Sequence, residues 1–367
     1  MISCTVPRLR SAIGRVRPVD SMWRHRAHAH LDGLTKPRHS LGRLEWIAAR
    51  LCAIQETLTP RTAPRRIVVF AADHGVTAEG VSAFPSVVTA QMVGNFLRGG
   101  AAINALARAV AADVCVVDVG VAGDIDTSGD AATFASRRVR PGTRNIAQEP
   151  AMSGDELTSA VGVGLDIADA AAGAGVAVLA CGDMGIGNTT AASAMTAALT
   201  SAPPSEVTGT GTGIDSATVV RKIAAVTRAL RVNQPDRDAL EVLRTVGGLE
   251  IAAITGAYVG AASHRMAIVG DGFIATAAAL VAAEVCPPWL DYWFAGHLSS
   301  EPGHGRQLRH LRQEPLLQLN MRLGEGTGAA LAMHLLNAAA AAMNEMATFE
   351  SAGVAARQEP AAREGAS

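Results

Sequence analysis

Five short apolar runs, separated by alanine-rich helical stretches, restrict this chain to very few folds. They are residues 67–72 (IVVFAA), 114–120 (VCVVDVG), 175–182 (GVAVLACG), 266–272 (MAIVGDG) and 289–297 (WLDYWFAGH). Strands that are apolar throughout, rather than alternating, belong to a parallel sheet covered on both faces. The expected fold class is therefore α/β and Rossmann-like, with helices on both faces of the sheet. Four of the runs end in glycine with an acid at or near the end: Asp73, Asp118, Asp183 and Asp271. Open α/β sheets bind ligands beyond the carboxyl ends of their strands, so the site is expected along that rim.

Composition supports a globular chain and removes some functions. Of 367 residues, 49% are hydrophobic and 18% charged, the balance of a protein with a large core. A net charge of −1 gives no electrostatic case for nucleic acid or a membrane surface, and 4% aromatics are too few for base stacking. No apolar run reaches the ~18–20 residues of a membrane span. Cys4, Cys52, Cys115, Cys181 and Cys286 form no C-x-x-C pair, and buried, reduced thiols fit a cytoplasmic protein. Residues 1–30 lack a signal-peptide core and are expected to be a flexible arm. Residues 31–60 and 329–353 are expected to form a small helical lobe, with Ser40 capping its first helix. Residues 61–328 are expected to form the large α/β catalytic domain, and the alanine- and charge-rich tail 354–367 is expected to be disordered.

Several loops can carry chemistry. CGDMGIGNTT, residues 181–190, has the glycine spacing of an NTPase P-loop, but Asn188 stands in the lysine position. It reads as an anion site for a monophosphate or carboxylate at a helix N-terminus, or as a plain strand-to-helix turn. TGTGTGIDSATVVRK, residues 208–222, is a phosphate cradle with Lys222 or a simple linker, with Asp215 or Ser216 as helix cap. Asp73, His74 and Glu79 offer an acid–base pair or a capped loop. His297, Glu301, His304 and His310 invite a metal, yet the H-E-x-x-H pattern is absent and Pro302-Gly303 breaks the helix that would align ligands; no metal is expected. Glu325, between two glycines ahead of a helix, either complements the helix dipole or is a buried base.

Nine stretches in order resemble one family, the nicotinate-nucleotide–dimethylbenzimidazole phosphoribosyltransferases of cobalamin lower-ligand synthesis. They are KPRHSLGRLE, AADHGVTAEGVSAFPSVVTAQMVGNFLRGGAAIN, GDMGIGNTTAASA, GTGTGID, GGLEIAAITGAYVGAA, VGDGFIATAAA, SSEPGHGRQL, EPLLQLNMRLGEGTGAALA and NEMATF, spanning about Lys36 to Gly353. The resemblance implies transfer of the phosphoribosyl group of nicotinate mononucleotide to 5,6-dimethylbenzimidazole, giving α-ribazole 5′-phosphate and nicotinate, by a homodimer without cofactor or metal. Its partners would be small-molecule substrates. It assigns the base to Glu325 and a second acid to Asp183, where the family usually has glutamate. It places the acceptor among Phe84, Met92, Met184 and Leu323. It points for the nucleotide to Gly185, Gly187, Asn188, Thr189, Gly211, Thr212, Gly213, Lys222, Ser299 and Ser300. Thr210 stands where the family more often has arginine. The rivals are a non-catalytic nucleotide sensor and a triphosphate kinase, the latter disfavoured by Asn188.

Overall fold

The computed structural model describes residues 6–130, 133–211, 213–236 and 238–355. The chain divides into two compact units, one of Met1–Val19 with Thr62–Leu335, the other of Asp20–Arg61 with Leu336–Ser367. The first is built on a six-stranded sheet of order β3-β2-β1-β4-β5-β6, comprising β1 (Arg65–Ala72), β2 (Ala112–Gly120), β3 (Phe134–Ser136), β4 (Val178–Met184), β5 (Ala267–Gly270) and β6 (Trp293–Ala295). Every pairing is parallel. The order reverses between β1 and β4, and helices pack against the sheet.

The expected strands are present with shifted ends. β6 is shorter than residues 289–297 because Pro287–Tyr292 form a 3-10 turn ahead of it. β3 is an additional edge strand of three residues whose sequence, FAS, carries no apolar run.

Glycine and alanine serve helix-on-helix as well as helix-on-sheet packing. Helices Gly154–Gly173 and Leu249–Ser263 approach so closely that a Cβ on Gly164 would lie 1.8 Å from the Ala253 carbonyl oxygen. A Cβ on Gly256 would lie 2.1 Å from that of Val161. The second helix is buried along nearly its whole length. Large side chains fill the far edge, where Tyr258, Trp289 and Trp293 stack at centroid separations of 5.4 and 5.7 Å.

The expected flexible arm is instead partly helical. Pro7–Ile13 is a helix that buries Leu9 and Ala12, and Ser21–Asp32 is a second, capped by Asp20 through the Met22 N–H. Arginine and histidine on their exposed sides mask a narrow apolar stripe, which is why the sequence reads as unstructured. Residues 1–5, and 356–367 of the expected tail, lie outside the described residues.

In the second unit, helix Arg43–Gln55 begins after Gly42 (φ 54°), not at Ser40. Glu45 fills the capping role from inside the helix, accepting the Leu41 N–H at 3.0 Å. Residues 33–35 pair with 347–349 through Thr35 N–H to the Ala347 carbonyl (3.0 Å) and Phe349 N–H to the Gly33 carbonyl (2.9 Å). Asp32, His39 and Glu45 cluster here, but the buried Lys36 ammonium sits 2.8 Å from Glu45 and supplies the positive charge. Among the described residues, no helix is long and apolar enough to cross a membrane.

Gly164→Ala is expected to cost about 3 kcal/mol by overpacking the helix pair. Gly173→Ala, at the exposed end of the same helix with nothing within 4 Å, is expected to be neutral or to gain up to about 1 kcal/mol. The urea midpoint should therefore fall in Gly164→Ala and stay level or rise in Gly173→Ala.

Candidate active site

The site lies where the sheet order reverses. Asp183 is the penultimate residue of β4, facing Phe70 of β1 in register. Asp271 follows β5, and His297 lies two residues beyond β6. A pocket opens here between Asp183–Thr189, Gly272–Ile274, His297–Glu301 and Arg322–Gly324. It measures about 80 Å³, below the ~300 Å³ usual for a small-molecule site.

Asp183 is 5% exposed. Its Oδ2 accepts from the Asn188 side-chain amide at 2.9 Å, and its Oδ1 is buried without a partner among the described residues. Burial pushes this carboxyl well above the usual aspartate range, and the carboxylates of Asp271, Glu250 and Glu325 push it further. Because Oδ2 is an acceptor, the neutral acid carries its proton on Oδ1 and is a hydrogen-bond donor there.

Glu325 sits on a loop bent by three successive left-handed residues, Gly324 (φ 83°), Glu325 (φ 61°) and Gly326 (φ 88°). A non-glycine residue in this region is strained, and the strain is held by surrounding contacts. Gly182 of β4 is one of them: a Cβ there would lie 2.2 Å from the Glu325 carbonyl carbon. The Glu325 N–H reaches the Asp183 carbonyl at 3.3 Å, and its Oε2 accepts from the Ile103 N–H at 3.2 Å, in the first turn of helix Ala102–Ala109. Burial raises the Glu325 carboxyl above its ordinary range; the Ile103 N–H opposes this and Asp271 adds to it.

Asp271 fixes the same loop from below. Its Oδ2 accepts from the Gly326 N–H (3.1 Å), and its Oδ1 accepts from Gly328 (2.8 Å) and Ala329 (3.1 Å). These are the open donors at the start of helix Thr327–Glu345. His297 Nε2 lies 3.7 Å from Oδ1.

Two cations clasp the glycine–threonine loop. Lys222, on helix Ser216–Asn233, donates to Thr189 Oγ1 at 2.8 Å and to the Gly209 carbonyl at 3.4 Å. Burial pushes its ammonium down to about 8. Arg322 donates to Thr210 Oγ1 and to the Gly211 carbonyl, both at 3.1 Å. Asp215 caps the Lys222 helix by accepting the Thr218 N–H, which decides between Asp215 and Ser216.

Of the residues expected for the site, Asp183, Met184, Gly185, Asn188, Thr189, Gly211, Ser299 and Leu323 line the pocket. Lys222 and Glu325 adjoin it through Thr189 and Asp183. Gly187 is the N-cap of helix Asn188–Thr200. Gly213 and Ser300 are exposed, the latter donating its N–H to the Met321 carbonyl at 2.9 Å. Phe84 is 47% exposed, and Met92 is half-buried on helix Val87–Leu97. That helix is tied to the pocket through Thr89, which donates to Asp73 at 2.6 Å and accepts from the Ile186 N–H at 3.1 Å. Thr212 lies outside the described residues.

Asp73 and His74 are not an acid–base pair. Asp73 anchors loops through Thr89 and the Ala122 N–H, while His74 Nε2 pairs with the buried Glu250 at 2.6 Å. Among the described residues, His297, Glu301, His304 and His310 do not form a group of donors close enough to share one ion. His304 Nδ1 accepts the Ser299 N–H at 2.8 Å and its Nε2 meets Thr276 Oγ1 at 3.0 Å, so neither nitrogen is free. Arg322 and Glu250 escape a sequence reading. The available signals are Arg322's place three residues before Glu325, and Glu250's as a lone acid in an apolar run.

Residues 16–354 match the family model described as phosphoribosyltransferase. The chain is 51% identical over 352 residues to the nicotinate-nucleotide–dimethylbenzimidazole phosphoribosyltransferase of Chloroflexus aggregans, covering 96% of this chain and 99% of that relative. It is 50% identical to the enzyme of that name from Geobacter metallireducens, over 94% of this chain and 98% of the relative. The solved structure of the Thermus thermophilus enzyme of that name superposes with a TM-score of 0.87 at 49% identity, over 92% of this chain and all of that one.

Asp271→Ala leaves three buried N–H groups without their acceptor. It is expected to cost about 2–4 kcal/mol, read as a lowered urea midpoint. A midpoint equal to that of the wild type would contradict the anchoring role.

Proposed function

The chain belongs to the nicotinate-nucleotide–dimethylbenzimidazole phosphoribosyltransferase family, and we infer that it transfers the phosphoribosyl group of nicotinate mononucleotide to 5,6-dimethylbenzimidazole. The observation that carries this reading is the pair of buried acids, Asp183 and Glu325, joined by a backbone hydrogen bond beside a pocket whose other end is polar.

The acceptor's lone-pair nitrogen forms a bond to C1′ on the face opposite the departing nicotinate. The C1′–nitrogen bond of the nucleotide breaks, and its electron pair returns to the pyridine ring. Configuration inverts from β to α, through a transition state with oxocarbenium character. As the new bond forms, the acceptor's N–H becomes acidic and passes its proton to Glu325. A buried carboxylate with one backbone donor and a neighbouring acid is a stronger base than an exposed one, which suits it to this role. Asp183, held towards its neutral form, offers a donor on the acceptor side, directly or through a water. Met184 and Leu323 give that end its apolar wall, with Phe84 and Met92 on neighbouring segments. At the polar end, Asn188, Thr189, Gly211 and Ser299 take the nucleotide, and the Lys222 ammonium complements its negative charge. We place the enzyme in the cytoplasm, in keeping with the free cysteines Cys52, Cys115, Cys181 and Cys286, and as a homodimer, as the resemblance implies.

Incubation with both substrates should release nicotinate and α-ribazole 5′-phosphate, separated by chromatography. If neither forms, the inferred transfer is wrong.

Glu325→Gln should lower kcat by about 10²–10⁴-fold with little change in nucleotide binding; an unchanged kcat would remove Glu325 as the base.

The base must be ionised to act. Wild-type activity should therefore fall as pH drops through a value above the ordinary glutamate 4.5. Nucleotide binding should weaken as pH rises through about 8, where Lys222 loses its charge. In Lys222→Arg the alkaline change should disappear from the KM profile.

A further inference from the structure

Glu301 is a buried carboxylate for which the transfer described above has no use. It is 5% exposed and lines the pocket alongside Ser299 and Gly211. Its Oε2 is enclosed and receives no hydrogen bond from the described residues. Gly209 presses against it: a Cβ there would lie 2.3 Å from Oε2. The neighbouring Lys222 ammonium directs two of its hydrogen bonds to Thr189 and the Gly209 carbonyl and acts on Glu301 through its charge. An enclosed carboxylate oxygen without a donor is costly, and a site that retains one is poised for a donor from outside.

The carboxylate is also held in place. The Glu301 N–H donates to Ser299 Oγ at 3.3 Å, and its carbonyl accepts from the His304 N–H at 3.0 Å. His304 locks the segment from beneath. Its Nδ1 accepts the Ser299 N–H, so the proton is on Nε2, directed at Thr276. Burial pushes this ring down to about 3, so it stays neutral and keeps that tautomer at working pH. Glu301 thus projects from a fixed turn at the start of helix Pro302–Leu311.

We propose that Glu301 accepts hydrogen bonds from the ribose hydroxyls of the nucleotide substrate and so selects ribonucleotides over their deoxy counterparts. This rests on the mononucleotide reading of the pocket. The chemistry singles out the hydroxyls. The phosphate and the nicotinate carboxylate are anionic acceptors and are repelled by Glu301. The ribose diol supplies the neutral O–H donors, in a spacing that one carboxylate can span. The phosphate then falls to the cationic side of the same end, at Lys222 and Arg322.

The test compares nicotinate mononucleotide with its 2′-deoxy and 3′-deoxy analogues in the full-length wild type, Glu301→Gln and Glu301→Ala, by nicotinate release and by calorimetric binding. The wild type should lose about 10–100-fold in kcat/KM on at least one deoxy analogue, as expected for a hydrogen bond to a charged group. That ratio should shrink in Glu301→Gln and approach one in Glu301→Ala, because the variants lose activity on the ribonucleotide and not on the analogue. A wild type indifferent to both hydroxyls, or variants that keep its ratio, would overturn the proposal. Glu301→Gln preserves volume and guards against an alanine variant that does not fold. If the wild type binds nucleotide but releases no nicotinate, the transfer reading fails while the ribo/deoxy binding ratio still decides the role of Glu301.

Discussion

Asp271 organises the site by accepting three backbone N–H groups at the start of one helix. Those donors have no partner within the helix, and the positive end of the helix dipole favours a carboxylate there. Once Gly326, Gly328 and Ala329 are held, the left-handed loop ahead of them cannot relax, and Glu325 is presented at one position. Gly182 completes the constraint, since the Glu325 backbone occupies the space a side chain would need. Strand and loop therefore place the two acids through backbone contact, so their positions do not depend on ordering a flexible side chain.

That arrangement crowds Asp183, Asp271, Glu250 and Glu325 into one poorly solvated region. Four neighbouring anions would repel strongly, and the protein compensates them unequally. Asp271 has three backbone donors and His297 nearby, while Glu250 has His74. Glu325 has one backbone donor, and Asp183 has one side-chain amide. Asp183 is the least compensated against its desolvation, so it is displaced furthest towards the neutral acid. Glu325 is raised as well, but its N–H partner favours the anion. Two carboxyls separated in this way can act as donor and acceptor within one site.

The parallel sheet was legible because its central strands are apolar throughout and end in glycine and acid. β3 was not, because three edge residues carry no periodic signal. Asp183, Asn188, Ser299 and Glu325 could be found from strand ends and glycine loops. Their differing surroundings could not, since these depend on which neighbours solvate each group. Asp73 and His74 form a persuasive catalytic pair on paper, yet folding turns one towards Thr89 and the other towards Glu250, a residue 176 positions away. Gly164 and Gly256 read as ordinary helical glycines, and only the crossing helix shows why nothing larger fits.

The glycines of residues 182–187 have packing causes: Gly182 meets the Glu325 backbone, and Gly185 and Gly187 meet β1 and the turn that follows it. A Cβ on Gly185 would lie 2.2 Å from the Ala72 carbonyl oxygen, where β1 ends alongside. Gly187 takes φ 97°, and a Cβ there would crowd Thr77 and His74 at 3.0 and 3.1 Å. Both glycines are thus dictated by the turn after β1, without reference to any phosphate. Asn188, in the position a P-loop gives to lysine, turns its amide back to hold Asp183. The cation comes from elsewhere: Lys222 reaches the same helix start, at Thr189, from helix Ser216–Asn233. Separating the two tasks lets one short loop serve both ends of the pocket. Its first residues carry an acid held towards neutrality, which a lysine at position 188 would have drawn back to the carboxylate form. Its last residues open a helix whose N-terminal dipole, reinforced from outside by one buried ammonium, favours an anion.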